Sequence, residues 1–177
     1  MNRSGYTDEC DDPLATGRWI AAVKSSLRGK RGQAFLHELL AALEAMPDKR
    51  LIANTAAKDG CMCALAVVAA KRGQGLEQLD AYMQGLDWDR LAESLDISEA
   101  MAREVMYLND EMTDEFEWVD RPQGPPTRQE WDDFLRSRSY RLSDSIRVPI
   151  LDHEERRWRY MRDWAAKHLK EPVSPAV

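Results

Sequence analysis

The chain has 177 residues, with 25 Lys+Arg against 31 Asp+Glu, a formal net charge of −6 and a hydrophobic fraction of 44%. That length fits one domain, or one domain with an appendage, and buries enough apolar surface to need no crosslinks. With only 9 Gly and 8 Pro, fibrous, collagen-like and fully disordered classes are excluded.

Residues 1–13, with Asp8, Glu9, Asp11, Asp12 and Pro13, read as a loose acidic lead-in. No apolar core follows the charge at Arg3, so this is not the pattern of a signal peptide. A first helix is expected over Leu14–Leu27, where Trp19, Ile20, Val23 and Leu27 share a face. It should stop at Arg28-Gly29-Lys30-Arg31-Gly32, where two glycines interrupt a basic cluster. The clearest helix is Gln33–Met46. Phe35, Leu36, Leu39, Leu40, Leu43 and Met46 make a broad apolar stripe, and Pro47 ends it. Leu51–Ala57 fits a short strand or a helix equally, and Asp59-Gly60 is a turn.

Cys61–Ala70 is the longest apolar run, far short of the roughly 18 residues a bilayer span needs. It fits a buried helix better than a strand, because only Val67 and Val68 are β-branched. Lys71–Gly75 closes it with cations and glycines. Short helices follow over Leu76–Met83 and Asp87–Leu95. After a turn at Asp96-Ile97, Ser98 caps a helix reaching about Asn109. Asp110–Trp118 is an acidic stretch with interleaved apolar residues, and Arg121–Pro126 is a proline-rich linker. Thr127 and Glu130 fit a capping box before Trp131, Phe134 and Leu135. Residues 137–151 read as irregular. Asp152 can cap a last helix, His153–Lys170, with Trp158, Met161, Ala165 and Leu169 on one face; Pro172 and Pro175 end the order.

The expected fold is therefore mainly α: a single compact helical domain of about seven helices with at most a minor β element. Residues 1–111 form the helical core, 112–151 an acidic and Pro-rich insertion with a short helix, and 152–177 a basic helix packing on the core.

The net charge conceals a segregation. Residues 1–75 carry +3, residues 76–135 carry 4 Lys+Arg against 17 Asp+Glu for −13, and residues 136–177 carry +4. Blocks of this kind mark interaction surfaces, or pair with one another within the fold.

No catalytic motif is readable. His37-Glu38-Leu39-Leu40-Ala41 starts like a zinc-protease helix, but Ala41 stands where the second histidine ligand is required. His153-Glu154-Glu155 fails likewise at Arg157. Gly29–Gly32 lacks the frame of a phosphate-binding P-loop, and Gly73-Gln74-Gly75 lacks the third glycine of a dinucleotide fingerprint. Cys10, Cys61 and Cys63 are an odd number of thiols. The pair Cys61 and Cys63 has no partner pair for zinc, so reduced structural thiols are expected and no metal or cofactor.

Two patterns bear on nucleic acid. Asp87–Leu108 fits the packing of a helix-turn-helix, with Asp96 at the usual turn glycine. Its second helix would expose Glu99, Arg103 and Glu104 in the most acidic third of the chain, where phosphate is repelled. The last helix interleaves Arg156, Arg157, Arg159 and Arg162 with Trp158, Tyr160 and Trp164, a pattern suited to phosphates and stacked bases, or to an acidic protein surface.

Arg28–Leu36, Lys49–Ala53, Asp59-Gly60 with Cys63-Ala64-Leu65, Ala100–Tyr107 with Asn109-Asp110-Glu111, and Trp158–Trp164 together resemble a group of small proteins of tailed bacteriophages and prophages. The resemblance covers about two thirds of the chain and makes Met112–Leu151 an insertion. It brings no catalytic role. It implies an accessory protein that binds and inhibits or redirects a host protein in the cytoplasm.

The expectation that follows is a non-enzymatic binder. Asp110, Glu111, Asp114, Glu115 and Glu117 would face a basic host surface, such as the nucleic-acid groove of a defence component, and mimic phosphates. The alternative is a nucleic-acid-binding regulator using Arg28, Lys30 and Arg31 with Arg156, Arg157 and Arg159. The apolar stripes also leave room for self-association.

Overall fold

A computed structural model of the chain describes residues 13–111, 115–120, 128–129, 132 and 145–170. Among the described residues the fold is mainly α, with seven helices. These are α1 (Pro13–Arg28), α2 (Lys30–Ala45), α3 (Ala64–Lys71), α4 (Leu76–Gln84), α5 (Trp88–Ser94), α6 (Glu99–Glu111) and α7 (His153–His168). Two antiparallel strand pairs accompany them: β1 (Ala57–Lys58) with β2 (Cys61–Met62), and β3 (Phe116–Asp120) with β4 (Ser145–Pro149). The chain divides into two units, Met1–Thr113 with Asp152–Val177, and Asp114–Leu151.

The basic cluster after α1 is not a loop. Gly29 alone leaves the helical conformation, and Lys30, Arg31 and Gly32 form the first turn of α2. Gly32 is there for space rather than flexibility. A Cβ at this position would lie 1.9 Å from the Ser26 carbonyl oxygen, so only glycine lets α2 cross α1 this closely. Phe35, Leu36, Leu39 and Leu43 of α2 are fully buried, and the helix ends two residues before Pro47.

The segment after α2 is a loop, not a helix, with Leu51 bridged to Met62. Asp59 and Gly60 both have positive φ, 51° and 80°, the geometry of a two-residue hairpin turn that pairs Lys58 with Cys61. The expected single helix over Cys61–Ala70 is divided accordingly. Cys61 and Met62 are drawn into β2, and the helix begins at Ala64, whose run to Ala69 is wholly buried.

α6 is the central helix. No residue of it before Glu111 is exposed, and α1, α3, α5 and α7 all pack on it. Ser98 caps it, accepting a hydrogen bond from the Met101 amide (3.2 Å). α7 lies along α2 and contributes Trp158, Met161, Trp164 and Ala165 to the core. Asp152 precedes α7, but its carboxylate turns to Arg156 (2.9 Å) rather than to the helix amides.

The second unit departs from expectation. Part of the acidic stretch and part of the segment read as irregular pair as β3 and β4, with Trp118 opposite Arg147 and Val119 opposite Ile146. The Ile150 amide continues the ladder to the Glu115 carbonyl (2.9 Å). Arg128, Gln129 and Asp132 are helical. Thr127, Glu130, Trp131, Phe134 and Leu135 lie outside the described residues, as do the lead-in 1–12 with Cys10, the linker 121–126, Pro172 and Pro175. Among the described residues no helix is long and apolar enough to cross a membrane.

Candidate binding surfaces

Several polar residues that look available in sequence are tied to the fold. Asn109 is buried at the end of α6. Its Oδ1 accepts from the Ala64 amide at the start of α3 (3.0 Å), and its Nδ2 donates to the Ile52 carbonyl (2.9 Å) and to Asp110 Oδ1 (2.9 Å). The same Asp110 oxygen accepts from the Asn54 amide (3.2 Å), where Asn54 holds a positive φ of 64°. From α4, Asp80 accepts from the Ala56 amide (2.7 Å) and the Thr55 hydroxyl (3.2 Å). These three side chains fasten the loop between α2 and α3. Asp110, expected on a binding surface, is instead half-buried and holds backbone.

The other expected carboxylates do not form one described surface. Glu111 is exposed at the last position of α6, and Asp114 lies outside the described residues. Glu115 and Glu117 are exposed in the second unit.

The acidic character of the first unit lies elsewhere. Residues 76–111 carry ten carboxylates and two arginines. Both arginines are neutralised locally: Arg90 lies 3.5 Å from Asp87, and Arg103 pairs with Glu99. Arg103 also lies over the rings of Trp19 and Trp88, at 6.0 and 5.2 Å from their centroids, so it is a packed side chain and not a surface cation. With Asp80 turned inward and Asp96 paired to Arg31, the carboxylates left exposed are Glu77 on α4, Asp89 and Glu93 one turn apart on α5, and Glu111. The sequence signal for Glu77, Asp89 and Glu93 was the charge of the block. Their separation by apolar residues made the contiguous acids at 110–117 stand out instead.

The helix-turn-helix pattern is accounted for by packing. Asp96 does occupy the turn with positive φ, 48°. The following helix, however, is α6, enclosed by its neighbours, and Glu99, Arg103 and Glu104 are half-buried rather than exposed.

The basic candidates separate into two places. Arg28 and Lys30 are exposed at the α1–α2 junction. Arg31 clamps the α5–α6 turn, through Asp96 Oδ1 (2.8 Å) and the Ile97 carbonyl (3.1 Å). The end of α7 joins this corner. Lys170 Nζ donates to the Arg28 carbonyl (2.7 Å), and Gln33 Nε2 donates to the carbonyls of Leu27 (2.6 Å) and His168 (2.9 Å). Arg156, Arg157 and Arg159 sit at the opposite end of α7. Arg157 is 1% exposed and donates to the Leu51 carbonyl (2.9 Å), so it is not a surface cation at all. Arg156 and Arg159 pair with Asp152, and Arg159 also with Glu155. Arg156 beside Asp152 holds that carboxyl below its usual range. Trp158 and Trp164 are buried, so neither presents a free face for a base. Trp158 donates from Nε1 to the Leu43 carbonyl (3.0 Å) and is flanked by Lys49 and Arg162.

Cys61 and Cys63 are reduced thiols, the second buried as the residue preceding α3. Among the described residues no three His, Cys, Asp or Glu side chains are placed to share a metal ion. No protein-family profile, curated protein or solved structure matches the chain.

Proposed function

We propose that the chain acts by binding, presenting the acidic side of α4, α5 and the end of α6 to a basic surface on another protein. The observation that carries this reading is the local neutralisation of Arg90 and Arg103, which leaves Glu77, Asp89, Glu93 and Glu111 exposed with their charge uncancelled. Carboxylates one helical turn apart stand in for successive phosphates, so a nucleic-acid-binding groove is the class of surface that fits. The resemblance to small phage and prophage proteins supports a host protein met in the cytoplasm, a defence component among the candidates, as the partner. The nucleic-acid reading has less support, because Arg31 and Arg157 serve the fold and both tryptophans of α7 are buried.

The test is capture of a partner from host lysate by tagged protein, followed by elution with a DNA duplex or heparin. The reading expects elution by either polyanion and loss of capture in the Glu77→Lys/Asp89→Lys/Glu93→Lys variant. Equal capture by that variant, or robust binding of DNA by the chain itself, contradicts it.

A further inference from the structure

Residues 13–37 contain five cations and no carboxylate. Arg31 among them is held by Asp96, but Arg18, Lys24 and Arg28 are exposed on α1. At about 100° per residue these three share one face of the helix with Gly17, Ala21 and Ser25. The face is opposite Trp19, Val23 and Leu27, which pack inward. The small residues recur every four positions, which lets a second helix approach closely, and a shallow groove of about 520 Å³ runs past Ala21, Lys24, Ser25, Arg28 and Gly29. Leu14 adds an apolar contact at the start of the helix, 70% exposed.

The charge selects the occupant. Two α1 faces cannot pair with each other, because antiparallel packing sets Arg18 of one against Arg28 of the other, and parallel packing aligns all three cations. A helix with exposed carboxylates one turn apart fits, and α5 supplies it: Asp89 and Glu93 have the same four-residue spacing as Lys24 and Arg28. We infer that α1 of one copy receives α5 of a second copy, in a head-to-tail contact between unlike faces. Such a contact leaves one α1 and one α5 free at the ends, so it grows with concentration rather than closing as a two-fold dimer. A single helix face covers less than the roughly 800 Å² per partner of a stable complex, so the association is weak and shows itself only as concentration rises. The contact occupies the same Asp89 and Glu93 that the proposed partner would meet. It is nonetheless measured on the purified chain alone, so its failure and the failure of partner capture are told apart.

Sedimentation velocity of the full chain tests it. The weight-average sedimentation coefficient should rise with protein concentration in about 50 mM NaCl and lose most of that rise in roughly 500 mM. Lys24→Glu/Arg28→Glu and Asp89→Lys/Glu93→Lys should each remain monomeric, and a mixture of the two should associate, since each now carries the complement of the other. All four positions are exposed, and an unchanged far-UV circular dichroism spectrum verifies that both variants fold. A wild-type chain that stays monomeric across the series overturns the inference, as does a mixture that fails to associate. Wild-type monomer that binds labelled oligo-dT or polyglutamate, with loss in Lys24→Glu/Arg28→Glu, gives the face to another polyanion and equally overturns it.

Discussion

Asn109 shows how one side chain sets a loop. It satisfies a buried amide at the start of α3 and a half-buried carbonyl in the loop before it, and truncation would leave both without this partner. Asn109→Ala should cost about 2–4 kcal/mol in urea unfolding, more than a typical single hydrogen bond. Gly32→Ala should cost about 3 kcal/mol, because the new methyl meets the Ser26 carbonyl, which is backbone of α1 and not a side chain that can turn away. Neither role was legible in the sequence. Asn109 read as the polar end of a helix, and Gly32 as a breaker, because both tasks depend on a neighbour distant in the chain or folded back against it. Asp110 misled for the same reason: a carboxylate in an acidic run gives no sign that its oxygen will accept two hydrogen bonds.

Among the elements, the helices with strong apolar stripes were legible. α2 follows from Phe35, Leu36, Leu39 and Leu43 at helical spacing, and α6 from Met101, Val105 and Leu108 behind the Ser98 cap. The strands were not. β3 and β4 are separated by residues 121–144, so neither has a local partner to announce it, and the acidic residues around Phe116 masked the short run. Two contacts between elements give further expectations. Trp158 fixes α7 on α2, and Trp158→Ala should lose about 3–5 kcal/mol, whereas Trp158→Phe should lose only about 1 kcal/mol, the hydrogen bond to Leu43. α2 is tied to the end of α3 by Glu38, which accepts from Arg72 Nε (2.9 Å) and Nη2 (2.6 Å). The hydrogen bond from Arg72 is the main reason the Glu38 carboxyl is held below its ordinary value near 4.5. A carboxyl whose folded pKa is depressed stabilises the fold above its unfolded pKa and loses that contribution as pH falls through the folded value. Glu38→Gln should therefore be less stable than wild type at neutral pH and converge with it as pH falls through the depressed folded pKa, in a series of thermal melts.

For the whole molecule, the net charge of −6 is less informative than its placement. The sequence showed the segregation, and the structure changes which residues express it. Arg31 and Asp96 neutralise each other across the junction of α2 with the α5–α6 turn, and Arg103 is absorbed between two tryptophans. Among the charges exposed on the first unit are Glu77, Asp89 and Glu93, which the proposed function takes as one acidic edge, and Arg18, Lys24 and Arg28 on one face of α1. The acidic edge is the basis of the proposed function, and its energetics are those of exposed charges, sensitive to salt and additive over a few residues. The most direct measurement is the affinity of the captured partner for wild type and for Glu77→Lys/Asp89→Lys/Glu93→Lys, by isothermal titration across a salt series. Binding through the acidic edge predicts a loss of at least about 100-fold in the variant and a wild-type affinity that falls steeply with salt. Equal affinities, or a wild-type affinity indifferent to salt, would contradict it.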